Sequence, residues 1–389
     1  AHYYRGEMQI SRKIRSARAY VTTLGLYELH LNGKRVGDAY FTPGWTSYNK
    51  RLQYQTYDVT LLLQQGDNVV GAIVGDGWYR GRIGWNGSRN KYGKHLGLLV
   101  QIIVYYEDGT SSVWGTNGQW KASTGPILMS QIYDGETYDA RLEQQGWDMT
   151  GFDDSSWKPV TTFQRDNSIL TASESETVKK TEEIKPVDIF VTPEGDTVVD
   201  MGQNMVGWIK LKVSGPKGRT VMLRNAEELD KYGNFYTKNL RSAKQTVTYT
   251  LKGSGEEVFE PHFTFQGFRY VAVSGFPETL TKNNLTGIVL YSAYKQTGHF
   301  ECSDPLINQL QHNIIWGQKG NFLEVPTDCP QRDERLGWTG DAQVFAPTAC
   351  FNGDVAAFYT RWLKDFTADQ QAEGQIPHVI PDVLSIKTG

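Results

Sequence analysis

The chain has 389 residues, a charged fraction of 21% and a formal net charge of -3; at roughly 100–200 residues per domain that length predicts two to four units, and three are expected. The mild negative balance lacks the positive field that holds a phosphate backbone, which sets nucleic acid aside as a partner. No run approaches the ~18 apolar residues of a membrane span, and Ala1-His2-Tyr3-Tyr4-Arg5 is not a basic stretch feeding an apolar signal segment, so any export signal lies outside the chain and the compartment (cytoplasm, periplasm or exterior) stays open.

From Ile14 to about Pro159 short alternating apolar runs are punctuated by turn residues, as in Ala19-Tyr20-Val21-Thr22-Thr23-Leu24 and Tyr27-Glu28-Leu29-His30-Leu31. Alternation of period two predicts a half-buried antiparallel sandwich. Asn32-Gly33 marks a type I′ hairpin, because both central residues need positive φ. The polar stretch from Arg165 to Glu183 reads as a linker or irregular crossover, with a boundary near residue 165. Strand signals resume at Asp188–Val191, Val206–Val213, Thr220–Arg224 and Tyr270–Val273, giving a second sandwich to about residue 291.

After Ser303 the period changes to about 3.6. Asp304 can cap, Pro305 suits the first helical position, and Leu306, Leu310 and Ile314 share a face. A further helix is expected from Asp354, with Val355, Phe358, Trp362 and Phe366 on one stripe and Gly374 and Pro377 beyond its end. Both stripes are expected to be core. Strands followed by helices indicate separate domains rather than an α/β unit. The units are therefore residues 1–164, 165–291 and 292–389.

Between these helices lies Asp328-Cys329-Pro330-Gln331-Arg332-Asp333-Glu334-Arg335-Leu336-Gly337-Trp338-Thr339-Gly340-Asp341, four carboxylates among two arginines, two glycines and a tryptophan. A charge cluster is usually a solvated, salt-bridged loop, and the Trp and Gly content argues against that here. Glycosidic cleavage needs an acid to protonate the leaving oxygen and, for inversion, a second carboxylate to activate water across the ring. Neighbouring carboxylates and an apolar wall such as Trp338 favour a protonated donor, while Arg332 and Arg335 oppose it. Residue chemistry alone leaves the acid open among Asp328, Asp333, Glu334 and Asp341. The three cysteines, Cys302, Cys329 and Cys350, match neither a zinc spacing nor a disulfide framework and read as buried or partly buried thiols.

The fourteen-residue run from Asp328 to Asp341 closely resembles the acidic motif of bacterial α-L-rhamnosidases of glycoside hydrolase family 78. The segments 27–37, 41–48, 75–81 and 133–141 resemble that family's N-terminal sandwich, so the likeness covers most of the chain. It implies two antiparallel β-sandwich domains, the first jelly-roll-like and the second concanavalin-like, followed by the beginning of an (α/α)6 six-hairpin barrel. It further implies inverting hydrolysis of terminal α-L-rhamnosyl linkages in plant or bacterial glycans and glycosides. By resemblance Glu334 is the general acid, and Asp328 and Asp341 hydrogen-bond sugar hydroxyls. Trp338 would pack on the deoxy-sugar's methyl, a contact worth roughly 25 cal/mol per Å². Arg332, Asp333 and Arg335 are assigned to orienting the carboxylates. The family's catalytic base lies far downstream of this motif, so it is expected outside the chain, and the isolated 389 residues are expected to be nearly inactive.

No cofactor is required by this chemistry. Asp134, Glu136, Asp139 and Arg141 offer oxygens that calcium would accept but lack the spacing of an EF-hand loop, and read as a salt-bridged turn. The histidines show no metal-site pairing, so no catalytic metal is expected. The Gly-rich loops Gly75–Gly81 and Gly84-Trp85-Asn86-Gly87 either bind sugar or reach toward the barrel and shape its rim. His378 follows the last helix at a position suited to a pocket residue. The competing readings are a non-catalytic carbohydrate-binding fragment and a six-hairpin glycosidase of other sugar specificity. The expected partners are rhamnose-containing oligosaccharides or glycosides, with room for a homodimer.

Overall fold

A computed structural model describes residues 1–85 and 87–384. The first β unit is built from two sheets. One runs Lys158–Pro159, Lys121–Thr124, His2–Ile10, Gly66–Gly75, Leu26–Leu31, Lys34–Arg35; the other runs Leu170–Ala172, Leu52–Asp58, Ile14–Leu24, Gly97–Tyr106, Ser111–Gly115. Alternation places Ala17, Ala19 and Val21 of one sheet and Val70, Ala72 and Val74 of the other in a single buried cluster. Trp120 closes this core over Gly6, where a Cβ would stand 2.4 Å from the indole. The Asn32-Gly33 turn forms as expected, with φ of 49° and 81°, and sets the register Leu31↔Lys34.

The second sheet has ten strands, and its long strand Thr197–Ser214 pairs with Gln266–Ser274 on one side and Leu285–Ser292 on the other. Two of its strands come from the early part of the chain: Gly135–Asp139 docks in parallel on Thr246–Thr250, and Ile127–Gln131 pairs antiparallel with Gly135–Asp139. The polar stretch after Arg165 is not an unpaired linker. Leu170–Ala172 pairs in parallel with Leu52–Asp58, and Val178–Ile184 forms an edge strand on Leu285–Ser292. Edge pairing uses backbone groups and tolerates the Lys and Glu side chains that made this stretch look unstructured.

The helices are α1 (Gly77–Arg80), α2 (Pro305–Asn321), α3 (Thr339–Asn352) and α4 (Ala356–Asp369). Asp304 caps α2 by accepting from the Leu306 N–H at 2.8 Å. The α4 stripe is core: Val355, Phe358 and Trp362 are buried, and Phe358 stacks on Phe322 at 4.5 Å. The α2 stripe is not. Leu306 and Leu310 are 78% and 57% exposed, only Ile314 is half-buried, and α2 instead buries Gly320 against Val206 of the ten-stranded sheet and Gln318 against α3, where its amide bonds the Ala349 carbonyl and Asn352. Among the described residues nothing covers Leu306, Leu310 and, on α3, Val344. No helix is long and apolar enough to cross a membrane. Of the cysteines, Cys329 is buried and Cys302 partly so, but Cys350 is exposed, against expectation.

Candidate active site

The acidic loop descends from Val325–Pro326 into α3 and is gripped by both β units. Glu334 is 7% exposed, and both of its carboxylate oxygens are engaged. Oε1 accepts from the Trp338 indole N–H at 3.0 Å; Oε2 accepts from Arg332 Nε at 3.0 Å and Arg241 Nη2 at 2.8 Å. The ion pairs are not dry, since the Arg241 and Arg332 side chains are 44% and 37% exposed. Water therefore reaches the cations that hold the acid.

Arg332 also bonds Asp328 Oδ2 at 3.1 Å, so one guanidinium bridges the two carboxylates, as expected of an orienting group. Asp333 turns away from them. It is 2% exposed and meets Arg241 Nε at 2.8 Å, Arg82 Nη2 at 3.4 Å and the Ser242 hydroxyl. Its partners are thus two arginines and a serine. Arg335 departs from expectation, for it reaches no carboxylate. Its φ of 48° sends the side chain into the protein, where it donates to the carbonyls of Ile132, Phe265, Gln331 and Arg332. Burial pulls its pKa down to about 10, so it remains a cation at neutral pH.

Asp328 and Asp341 line a cleft of about 600 Å³ between α2 and α3, together with Asn321, Thr327 and Phe345. Glu334 and Trp338 do not line it; they sit on the other side of Arg332. Burial lifts the Asp328 carboxyl above the ordinary carboxylate range, the charge of Glu334 adds to the lift, and the Cys329 thiol, the Leu336 N–H and Arg332 oppose it. Ligand atoms of Asp328, Cys329 and Glu334 lie within 4.8 Å of one another. A cation there would compete with Arg332, which already pairs with both carboxylates, and burial pushes the Cys329 thiol up to about 12. The other acidic cluster also disperses: Asp134 pairs with Arg82, Glu136 with His262 and Asp139 with Arg141, the salt-bridged turn expected from sequence.

Trp338 is half-buried and stacks on Trp85 with centroids 6.3 Å apart and planes 4° from parallel. The loop carrying Trp85 thus reaches the rim of the acid, although its Asn86 lies outside the described residues. In the neighbouring motif Trp78 and Tyr79 of α1 are core, Trp78 stacking on Trp45. His378 is exposed, and its carbonyl accepts from the Thr339 N–H at 2.9 Å, so its backbone anchors the start of α3 beside Trp338.

Four residues at this site carried no chemical signal in sequence. Tyr133 donates to the Glu334 carbonyl at 2.6 Å and accepts from the Gly84 N–H at 3.0 Å, tying the Trp85 loop to the acid loop. Arg82, Arg241 and Ser242 lie in polar stretches with no periodicity, and only their distant partners reveal them.

Fold and site together define a chain in which β-rich units lead into a six-hairpin glycosidase domain bearing an acidic loop. Three family models match in succession: the α-L-rhamnosidase N-terminal domain at residues 12–182, the bacterial α-L-rhamnosidase concanavalin-like domain at 191–291, and the bacterial α-L-rhamnosidase 6 hairpin glycosidase domain at 295–389. The chain belongs to the bacterial α-L-rhamnosidase family. It is 48% identical over 381 residues to an α-L-rhamnosidase of Streptomyces avermitilis, covering 97% of this chain and 37% of that protein. A relative of the same name from Formosa agariphila is 43% identical, with 98% and 42% covered. Among solved structures, the native enzyme from Aspergillus terreus superposes with a TM-score of 0.97 at 46% identity over 99% of this chain and 45% of its own. The Streptomyces avermitilis enzyme complexed with L-rhamnose gives 0.95 at 48%, over 98% and 37%. The chain thus spans about two fifths of the length of these curated relatives.

Proposed function

We propose that this chain supplies the acid side of an α-L-rhamnosidase site that hydrolyses terminal α-L-rhamnosyl linkages with inversion. Glu334 gives its proton to the departing glycosidic oxygen as the anomeric C–O bond breaks. Water attacks from the opposite face and loses its proton to a carboxylate contributed by the longer polypeptide. The observation that carries the reading is the Glu334 carboxylate set against the Trp338 indole, which itself stacks on Trp85. An acid beside a flat apolar wall suits a sugar whose exocyclic carbon is a methyl. In this reading Asp328 and Asp341 take sugar hydroxyls, Arg332 and Asp333 keep the acid oriented, and His378 offers its exposed ring at the pocket edge. The paired sheets of the first unit are read as a jelly-roll-like sandwich, the ten-stranded sheet as the concanavalin-like one, and α2 to α4 as the opening of an (α/α)6 barrel.

A second reading has its own support: burial lifts the Asp328 carboxyl and Asp328 lines the cleft, so Asp328 would be the donor. Glu334→Gln and Asp328→Asn in the polypeptide with its downstream sequence separate the two, on an alkyl α-L-rhamnoside with product anomers followed by NMR. The expected outcome is a loss of about 10²–10⁴-fold for Glu334→Gln. A near-normal rate for that variant, or retained configuration in the product, overturns the proposal.

A further inference from the structure

Resting on Glu334 as the proton donor, we propose that Arg241, from the second β unit, is a positioning residue for the acid. It would fix the direction in which the carboxyl delivers its proton. Asp333 and Glu334 are consecutive, so their side chains leave the backbone in different directions. A single guanidinium spans both, with Nε 2.8 Å from Asp333 Oδ1 and Nη2 2.8 Å from Glu334 Oε2. The rigid planar guanidinium holds both contacts in one orientation, whereas an ammonium, with freely rotating donors, fixes no direction.

The backbone of Arg241 carries the second argument. Its φ of 55° and ψ of -110° lie outside the regions a side-chain-bearing residue adopts freely. Such conformations persist where the surroundings over-determine them, and they cluster at functional sites. Here Leu240 and Ala243, 1% and 7% exposed, pin the segment on either side, and the Ser242 N–H and hydroxyl both reach Asp333 Oδ2. The arginine is aimed rather than free. Asp333 explains the asymmetry of the pair: it is buried and committed to Arg241, Ser242 and Arg82, so it anchors the fork while Glu334 faces the aromatic wall. The second β unit would then contribute to the rate and not only to the fold.

The test uses the leaving group, because protonation matters for a basic alkoxide and little for an acidic phenoxide. In the polypeptide with its downstream sequence, Arg241→Ala is expected to lower kcat on an alkyl rhamnoside by about 10–100-fold, within the span of general-acid assistance, with KM little changed. On the 2,4-dinitrophenyl rhamnoside the loss is expected to be under about threefold, and added guanidinium ion to restore part of the alkyl rate. Arg241→Lys keeps charge and bulk, so it shows the same leaving-group split at smaller size and decides the matter if the alanine variant does not fold. Equal losses on both substrates, or no loss on the alkyl one, overturn the role of Arg241. If Glu334→Gln shows no leaving-group split either, the assignment of the acid itself fails; if it does and Arg241→Ala does not, only this inference falls.

Discussion

Glu334 and Arg335 are sequence neighbours with opposite fates, and the difference comes from one backbone angle. With φ of 48° Arg335 turns inward and spends its donors on main-chain carbonyls, while Glu334, also buried, is held by the partly exposed Arg241 and Arg332. Composition had treated both arginines of the motif as partners for carboxylates, and only Arg332 is one. Another residue-scale pair has a pH consequence. Burial of His262 works against its charged form, but the adjoining Glu136 outweighs it and raises the pKa from 6.5 to about 9. A base whose folded pKa exceeds its unfolded one contributes stability that is complete below about 6.5 and disappears as the pH climbs through 9. The contribution is on the order of 3 kcal/mol. Urea unfolding between pH 7 and 10 should therefore show a decline that His262→Gln flattens; an unchanged decline in the variant breaks the link.

At the scale of elements, local chemistry was a good guide wherever a pattern repeats within a few residues. The Asn32-Gly33 turn, the Asp304 cap and the Val355-Phe358-Trp362 stripe formed as read. Val178–Ile184 was missed because an edge strand needs no apolar alternation, and Leu306 and Leu310 misled because periodicity reports a face and not what covers it. Tyr133 joins two loops through one hydroxyl, accepting from Gly84 and donating to Glu334. Tyr133→Phe should cost about 1–3 kcal/mol by leaving a buried carbonyl without its donor. It should also raise KM as the Trp85–Trp338 stack loosens. Thermal unfolding and steady-state kinetics check both, and an unaltered KM would show that the Trp85 loop is held by something else.

Across the whole molecule, a buried Arg361–Glu324 pair of the helical part holds the first β unit through the backbone of Trp45. Arg361 of α4 donates to the Trp45 carbonyl at 3.0 Å and lies 3.5 Å from Glu324, whose carboxyl also accepts from the Trp45 N–H at 3.2 Å. Removing one member strands a buried charge. Arg361→Ala is expected to lower unfolding stability by about 3–5 kcal/mol, read from denaturant midpoints, and a change below about 1 kcal/mol would mean that the segment around Trp45 is seated by aromatic packing alone. Nearby, the Ser47 N–H donates to Asp365 at 3.4 Å and its hydroxyl bonds Asp369, so the segment 41–48, quoted from sequence as a family likeness, also forms a joint between units, extended by Arg51 to Asp365 at 2.9 Å and Lys50 to Asp369 at 3.0 Å.

By itself the sequence determined that strand-rich units precede helices, and it carried the contiguous acidic run. Periodicity, capping and turn conformation act over a few residues, and the run from Asp328 to Asp341 is uninterrupted. The tertiary structure decided which side chains meet Glu334. Tyr133 stands 201 positions away and Arg241 stands 93 away, and they arrive through sheet register and loop seating that no short pattern encodes. The direction of a side chain at such a site is set by remote packing, which is why the acidic run was readable in the chain and the distant residues that contact it were not.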